Sequence, residues 1–433
     1  MRTLAAAATT AINSGSVAIV QLVHMAFAGG AVALNSSNWD LLWYHNFSRA
    51  STARYWSAAG VLTSAAVDVP RLDFDPATLA ARGLLVEAAA TNLLLQSEDV
   101  SAWSNDGTST ASTNVTTAPT GASTMDKIVE TVGNTGHYAY EGASVGAGAY
   151  TGSVFLKQAD RQWATVQIAT DAATKRYTVL VDLSTGAVLA TRSLGSPVSP
   201  GYTVQVCAGG VLRMSVTATN TSGIVYVVAA CCNSATPTYT AQEMPQYAGD
   251  ITKGIYAWGL QLEAGSAPTS YIPTTTTSAT RAADVGAVTF KGAYGLGSVS
   301  PVVDKPGEVQ GIQLELAGGS ATNIALALDV ADTVQGTPLT IRTAIVETTG
   351  FVVVDAPVDW AGTLDTMAIV EDGQQATIRV TAESRAVDLL KGTPQFYTDV
   401  DQQAINPTDR AFAYVVDQIG KPVVWPARSY FMQ

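Results

Sequence analysis

The stretch Tyr177-Thr178-Val179-Leu180-Val181-Asp182-Leu183-Ser184-Thr185-Gly186-Ala187-Val188-Leu189 decides the fold. Tyr177, Val179 and Val181 recur with period two, so they share one face of a β-strand, and Ser184-Thr185-Gly186 supplies the reversal into a second strand. The same texture repeats on both sides. Strands are predicted at residues 152–157, 163–168, 212–217, 224–229 and 254–262, separated by clusters of Ser, Thr, Gly and Asn. Many short strands between turn clusters mark an antiparallel sandwich. The composition agrees, because only 13% of residues are charged and 37 are glycine, which favours strands and tight turns over helix bundles. The chain is predicted to be mainly β.

Working outward, the Ser/Thr/Gly-rich texture holds from Ser48 to Gly286 and stops at both ends. Upstream, residues 17–34 are apolar enough to suggest a membrane span. They are interrupted by Gln21, His24 and Gly29-Gly30, so two apolar strands turning at the glycine pair are predicted instead. Residues 39–44 form an aromatic strand-like segment. The first dozen residues have helix-compatible spacing up to Asn13-Ser14-Gly15, and they lack the apolar centre of a signal peptide. Downstream, Ile312, Leu314 and Leu316 share one face of a predicted strand at 311–316. Ala376, Ile378 and Val380 do the same at 376–382. A short helix is expected after Asp409, with Phe412, Val415, Val416 and Ile419 at helical spacing. At 433 residues the chain exceeds one ordinary core. The predicted organisation is a β-rich unit with a few short helices, split into residues 1–47 and 287–433, and interrupted by an antiparallel sandwich at 48–286.

Charge and motif content exclude several functions. The net charge is −12 with no Lys/Arg cluster, which repels a phosphate backbone and argues against nucleic acid as a partner. Cys207, Cys231 and Cys232 are odd in number and lack zinc spacing. They read as buried small hydrophobes in a protein made in a reducing cytoplasm. Phosphate-cradling, Gly-x-Ser-x-Gly and His-Glu-x-x-His motifs do not occur. His24 reads as a satisfied structural residue and His45 as part of a domain junction, with His137 the third histidine. Asp73, Asp75 and Glu87 read as solvated turn carboxylates beside Pro76 rather than a pair flanking a glycosidic bond. Asp99, Asp126 and Asp250 are available to calcium, yet nothing in their spacing forms a dedicated loop. No catalytic residue, metal or cofactor is expected.

A series of motifs runs through the middle segment: Ser48-Arg-Ala-Ser-Thr-Ala-Arg-Tyr-Trp56, Pro70-Arg-Leu-Asp-Phe-Asp-Pro76, Gly83-Leu-Leu-Val-Glu87 and Thr91-Asn-Leu-Leu-Leu-Gln-Ser-Glu-Asp99. Tyr256-Ala-Trp-Gly-Leu-Gln-Leu-Glu-Ala-Gly265, Thr269-Ser-Tyr-Ile-Pro-Thr274 and Thr280-Arg-Ala-Ala-Asp-Val285 close it. This series resembles the carbohydrate-binding-module-like domains of phage fibre, spike and head-decoration proteins, and the resemblance implies a concanavalin-like jelly roll. The flanks carry Met1-Arg-Thr-Leu4, Gly295-Leu-Gly-Ser-Val299, Pro306-Gly-Glu-Val309, Val334-Gln-Gly-Thr-Pro-Leu-Thr-Ile341 and Trp360-Ala-Gly-Thr-Leu-Asp-Thr-Met367. Thr381-Ala-Glu-Ser-Arg385, Tyr397-Thr-Asp-Val-Asp-Gln-Gln403 and Asn406-Pro-Thr-Asp-Arg410 continue the series. Together these resemble an uncharacterised family of phage tail-tip proteins, similar to the N-terminal part of the tail hub of long-tailed phages and gene-transfer agents. The sequence closes at Gln433, so the larger C-terminal modules of some hubs are expected to be missing.

The resemblance implies a structural protein of the phage tail tip or baseplate, not an enzyme. It would assemble as a cyclic ring of three or six copies beside neighbouring tail-tip proteins, with the insert reaching cell-surface polysaccharide during adsorption. A dedicated receptor-binding fibre or spike is the runner-up, and a glycan-degrading enzyme comes third. Sugar binding calls for aromatic faces with polar groups beside them. Tyr138 and Tyr140 fit, because alternation points both to one face of a strand, and Arg161-Gln162-Trp163 offers a similar mixture. Those four residues, Tyr138, Tyr140, Arg161 and Trp163, are the candidate carbohydrate contacts. Tyr256 and Trp258 alternate with Ala257, and core packing is expected for at least one of them.

Overall fold

The structure, a computed structural model, describes residues 8, 12–13, 15, 17–27, 30–292, 296–303, 311–317, 334–348, 351–371, 376–384 and 398–414. It is mainly β. Strands β1 (Val17–Phe27), β2 (Gly30–Asn35) and β3 (Leu41–Ser48) come first. Short strands follow: β4 (Ala53–Trp56), β5 (Leu62–Ala65), β6 (Leu72–Phe74), β7 (Ala81–Leu84) and β8 (Ala90–Asn92). The middle of the chain holds β9 (Ser104–Asp106), β10 (Thr108–Thr117), β11 (Ser123–Glu130), β12 (Asn134–Gly136), β13 (Tyr138–Val145), β14 (Gly148–Gln158), β15 (Trp163–Thr170) and β16 (Lys175–Asp182). It continues through β17 (Val188–Leu194), β18 (Val198–Cys207), β19 (Val211–Asn220), β20 (Gly223–Cys232), β21 (Thr238–Tyr239), β22 (Pro245–Ala248) and β23 (Gly254–Ala264). Then come β24 (Ala279–Arg281), β25 (Val285–Phe290), β26 (Leu296–Val299), β27 (Ile312–Ala317), β28 (Pro338–Glu347), β29 (Val352–Asp355), β30 (Val358–Glu371) and β31 (Ala376–Ser384).

An early and a late segment of the sequence share a sheet. Among the described residues it runs β2-β1-β28-β30-β31-β27-β26, with β29 added on β28. Strand β1 pairs antiparallel with β28 from Val17↔Glu347 to Met25↔Leu339, joining segments about three hundred residues apart in sequence. Both faces of β1 are buried, which is why it reads as an almost continuous apolar run. Val23, Met25 and Phe27 pack with Leu314, Leu316, Ile341, Ile378 and Val380 on one side. Val20 and Leu22 pack on the other with Leu41, Trp43, Phe290, Ala344 and Val346. The predicted hairpin is β1–β2, paired up to Phe27↔Gly30. Gly30 is thus already the first residue of the strand, where its φ of +141° suits glycine.

Strand β3 pairs with β25, from Ser48↔Val285 to Leu41↔Phe290, so the chain leaves and re-enters this region along two neighbouring strands. Between them lie two six-stranded antiparallel sheets, β10-β11-β23-β14-β19-β18 and β17-β16-β15-β20-β13-β9. Every strand range read from the sequence between residues 152 and 262 is present in one of them, two to four residues longer at one end. Their facing surfaces form one apolar core. Val154, Leu156, Met214, Val216 and Leu262 come from the first sheet, and Val166, Ile168, Val179, Val181, Val225 and Val227 from the second. Each such side chain contributes roughly 1.5–3 kcal/mol by leaving water. The sheets meet closely at Gly152, where an added Cβ would stand 2.5 Å from Val227 Cγ2. The reversal at Ser184-Thr185-Gly186 is seen, with Gly186 at φ +77°.

The short strands β4 to β8 form a neck between these bodies. Leu72 and Leu84 pack against the shared sheet, and Trp56, Leu62 and Tyr271 pack on the outer face of β14 and β23 with Phe155 and Trp258. Buried charges hold the neck together. Arg49 reaches Asp284 at 3.1 Å, Arg71 pairs with Asp284 and with Glu87 at 2.7 Å, and Arg281 stands 3.5 Å from Glu87. The side chains of Arg49, Arg71 and Asp284 are fully removed from solvent. The expectation of solvated turn carboxylates therefore holds for Asp75 alone, which accepts from the Ala77 and Thr78 amides. Glu87 is committed to arginines, and Asp73 is buried, accepting from the Trp56 amide.

The helix described is α1 (Asp399–Ile405), capped by Thr398 accepting from the Asp401 amide, with Asp399 and Asp401 in its first turn. The helix expected after Asp409 lies mostly outside the described residues; residues 411–414 form a turn. The N-terminal helix-compatible stretch also lies largely outside them. Among the described residues, no helix is long and apolar enough to cross a membrane.

Candidate functional site

Tyr138 and Tyr140 alternate along β13 with Ala139, which is buried in the core, so both rings stand on the opposite, outer face. Their centroids are 5.9 Å apart. Tyr226 of β20 joins them, 5.9 Å from Tyr140 and near perpendicular to it. Gly142 makes this possible, since a Cβ there would meet Tyr226 Cδ1 at 2.5 Å. The result is a row of three half-buried tyrosines along two paired strands.

Polar groups border the row. Tyr138 donates to Asp106 at 2.9 Å, and burial together with that carboxylate pushes its phenol up to about 12. Arg176 donates to Gln167 Oε1 at 2.9 Å, and Gln167 Nε2 donates to Thr178 and to the Gln242 carbonyl. That carbonyl belongs to a strap that joins β21 to β22 across this face. Its Met244 packs on Val228 and Ala230 beside Tyr138 and Tyr140. Arg192 fastens the strap by pairing with Glu243 and lying 4.2 Å over the Tyr239 ring. Half-exposed phenol rings and a guanidinium on a rigid sheet can stack on one face of a sugar ring and hydrogen-bond its hydroxyls.

The four residues picked from the sequence are only partly brought together. Trp163 opens β15, opposite Cys232 and Asp182, so it shares the tyrosine face but lies two strands away. Arg161 is elsewhere. It grips Glu130 with bonds of 2.6 and 2.8 Å, and Glu130 also accepts from the Tyr247 hydroxyl and the Asp250 amide. Burial works against the charge of Glu130, but those hydrogen bonds outweigh it and hold the carboxyl below its usual range. Arg161 is thus occupied in packing. Tyr226 and Arg176 were missed, although alternation in residues 224–229 already set Tyr226 opposite the core residues Val225 and Val227.

The remaining candidates are structural. Asp126 accepts from the Val100 and Asn114 amides, Asp99 caps Ser101, and Asp250 caps Thr252, so the three carboxylates serve separate turns. His137 is wedged between the Gly107 and Tyr247 carbonyls. His24 and His45 stack at 3.6 Å, and the buried Nδ1 of each has no hydrogen-bond partner among the described residues. The reading of His24 as a satisfied residue is therefore corrected: it is held by stacking and burial. Cys207, Cys231 and Cys232 are free and buried, and burial raises all three thiols.

No family model matches the sequence, and no curated protein matches it.

Proposed function

We propose that this chain is a structural protein of a bacteriophage virion, positioned at the tail tip, whose central two-sheet unit faces outward and binds host cell-surface glycan during adsorption. Residues 1–47 and 287–433 act as the assembling unit, and 48–286 are its guest. Copies close into a ring of three or six beside neighbouring tail-tip proteins, and the ring raises weak sugar affinity through avidity. The observation that carries this reading is the pairing of β1 with β28 next to that of β3 with β25. An early and a late segment paired in one sheet, with the central body leaving and returning on adjacent strands, support a division between assembly and binding. The tyrosine row supports glycan as the ligand.

The test is a phage in which residues 49–284 are replaced by a short turn joining Ser48 to Val285, already neighbours in the sheet. Particles should assemble and adsorb poorly. Failure to assemble, with the shortened protein folded and soluble, would overturn the division of labour. Tyr138→Ala with Tyr140→Ala should weaken adsorption without changing particle yield.

A further inference from the structure

A cleft of about 240 Å³ opens between the neck hairpins and the outer face of β18 and β19, on the sheet that does not carry the tyrosine row. Asp73, Arg82, Glu87 and Arg213 line it together with the aromatic residues Tyr55 and Trp56. The four charges balance, so the cleft has no net preference for an ion.

Asp73 is the informative group. Its side chain is only 10% exposed, and one oxygen accepts from the Trp56 amide at 2.8 Å. The other takes no hydrogen bond from any described residue; Arg82 Nη1 is its nearest cation at 3.9 Å. That oxygen opens on the cleft, where a ligand donor can take the place of water. Burial pushes the Asp73 carboxyl above its usual range. Arg82 is 44% exposed and bonded to Asp75 at 2.7 Å through one nitrogen, which leaves further N–H groups for an acceptor. A partner that donates to Asp73 and accepts from Arg82 without carrying charge is a hydroxyl pair. Tyr55 and Trp56 add apolar ring surface, and the volume is below the roughly 300–1,000 Å³ of drug-sized sites. One ring fits.

We propose that this cleft binds a single neutral sugar ring, whose neighbouring hydroxyls lie between Asp73 and Arg82. The inference rests on the glycan reading of the central unit for the source of the ring, and adds a second site to it.

The test uses the full chain and saturation-transfer NMR with the methyl glycosides of glucose, galactose, mannose and N-acetylglucosamine, and with glucuronate. Asp73→Asn keeps the acceptor for the Trp56 amide and turns the free oxygen into a donor; Arg82→Ala changes an exposed side chain. Transfer to at least one neutral glycoside is expected, weakened about tenfold by either variant, as for loss of a hydrogen bond to a charged group. All spectra are taken in a Tyr138→Ala/Tyr140→Ala background, so that the tyrosine row adds no transfer of its own. No transfer to any neutral glycoside, preference for glucuronate, or a signal insensitive to both cleft variants would each overturn the proposal. These outcomes are separable from the adsorption test, because cleft binding can fail while adsorption still depends on the central unit, and the reverse.

Discussion

Asp284→Asn should destabilise the protein severely. Asp284 is fully buried, accepts from Arg49 at 3.1 Å, from Arg71, and from the Glu87 amide at 2.9 Å. Asparagine fits the same space and retains one acceptor oxygen. Its NH2 group, however, faces an arginine and an amide, which are both donors. Arg49 is then left with the Ser51, Ala66 and Val69 carbonyls, and Arg71 with Glu87, which also serves Arg281. Removing one partner of a buried ion pair costs about 3–5 kcal/mol, chiefly because the other charge stays buried uncompensated. That is a large share of a typical stability of about 5–15 kcal/mol. The assay is urea unfolding followed by circular dichroism and tryptophan fluorescence. With an m value of about 1–3 kcal/mol/M, the midpoint should fall by at least about 1 M. Glu315→Gln is the control, since its pair with Arg379 at 3.3 Å is 43% and 52% exposed and should cost about 0–1 kcal/mol. A midpoint for Asp284→Asn no lower than the control's would refute the claim that this cluster holds the neck together.

Three further outcomes follow from the packing. Gly152→Ala places a methyl 2.5 Å from Val227 across the sandwich and should cost about 1–3 kcal/mol, measured by the same unfolding assay; no loss would mean that the sheets are further apart than described. Burial, then His45 and Arg342, lowers His24 from 6.5 to about 4, so the unfolded chain takes up the proton first as pH falls. The stability from this residue is complete above about pH 6.5 and lost between there and pH 4, by at most about 3 kcal/mol. His24→Gln should flatten that part of the stability profile, and an unchanged profile would sink the idea. Burial pushes Cys207 up to about 12 and Cys232 up to about 11, so the native protein at pH 8 should react with dithiobis-nitrobenzoate only on unfolding. Prompt labelling of any of the three thiols would contradict their burial.

The strands with one face in the apolar core were legible in the sequence because alternation repeats over enough residues to be seen, as in Tyr177, Val179 and Val181 of β16. The neck was not. Strands such as β6 and β8 are three residues long, too short for a period, and their stability comes from partners far away in sequence. Arg49 and Asp284 stand 235 residues apart, and each alone looks like an ordinary surface charge. The same physics divided the candidate site. Tyr138 and Tyr140 are two positions apart on one strand, so their common face follows from the sequence. Arg161 looked free because its partner, Glu130, lies on another strand, 31 residues upstream.

Immuno-electron microscopy of intact virions, with an antibody raised against residues 48–286, tests the central claim most directly. The account predicts label at the tail tip and on no other part of the particle. Label on the head or along the tail shaft, or virions that carry none of this chain, would contradict it.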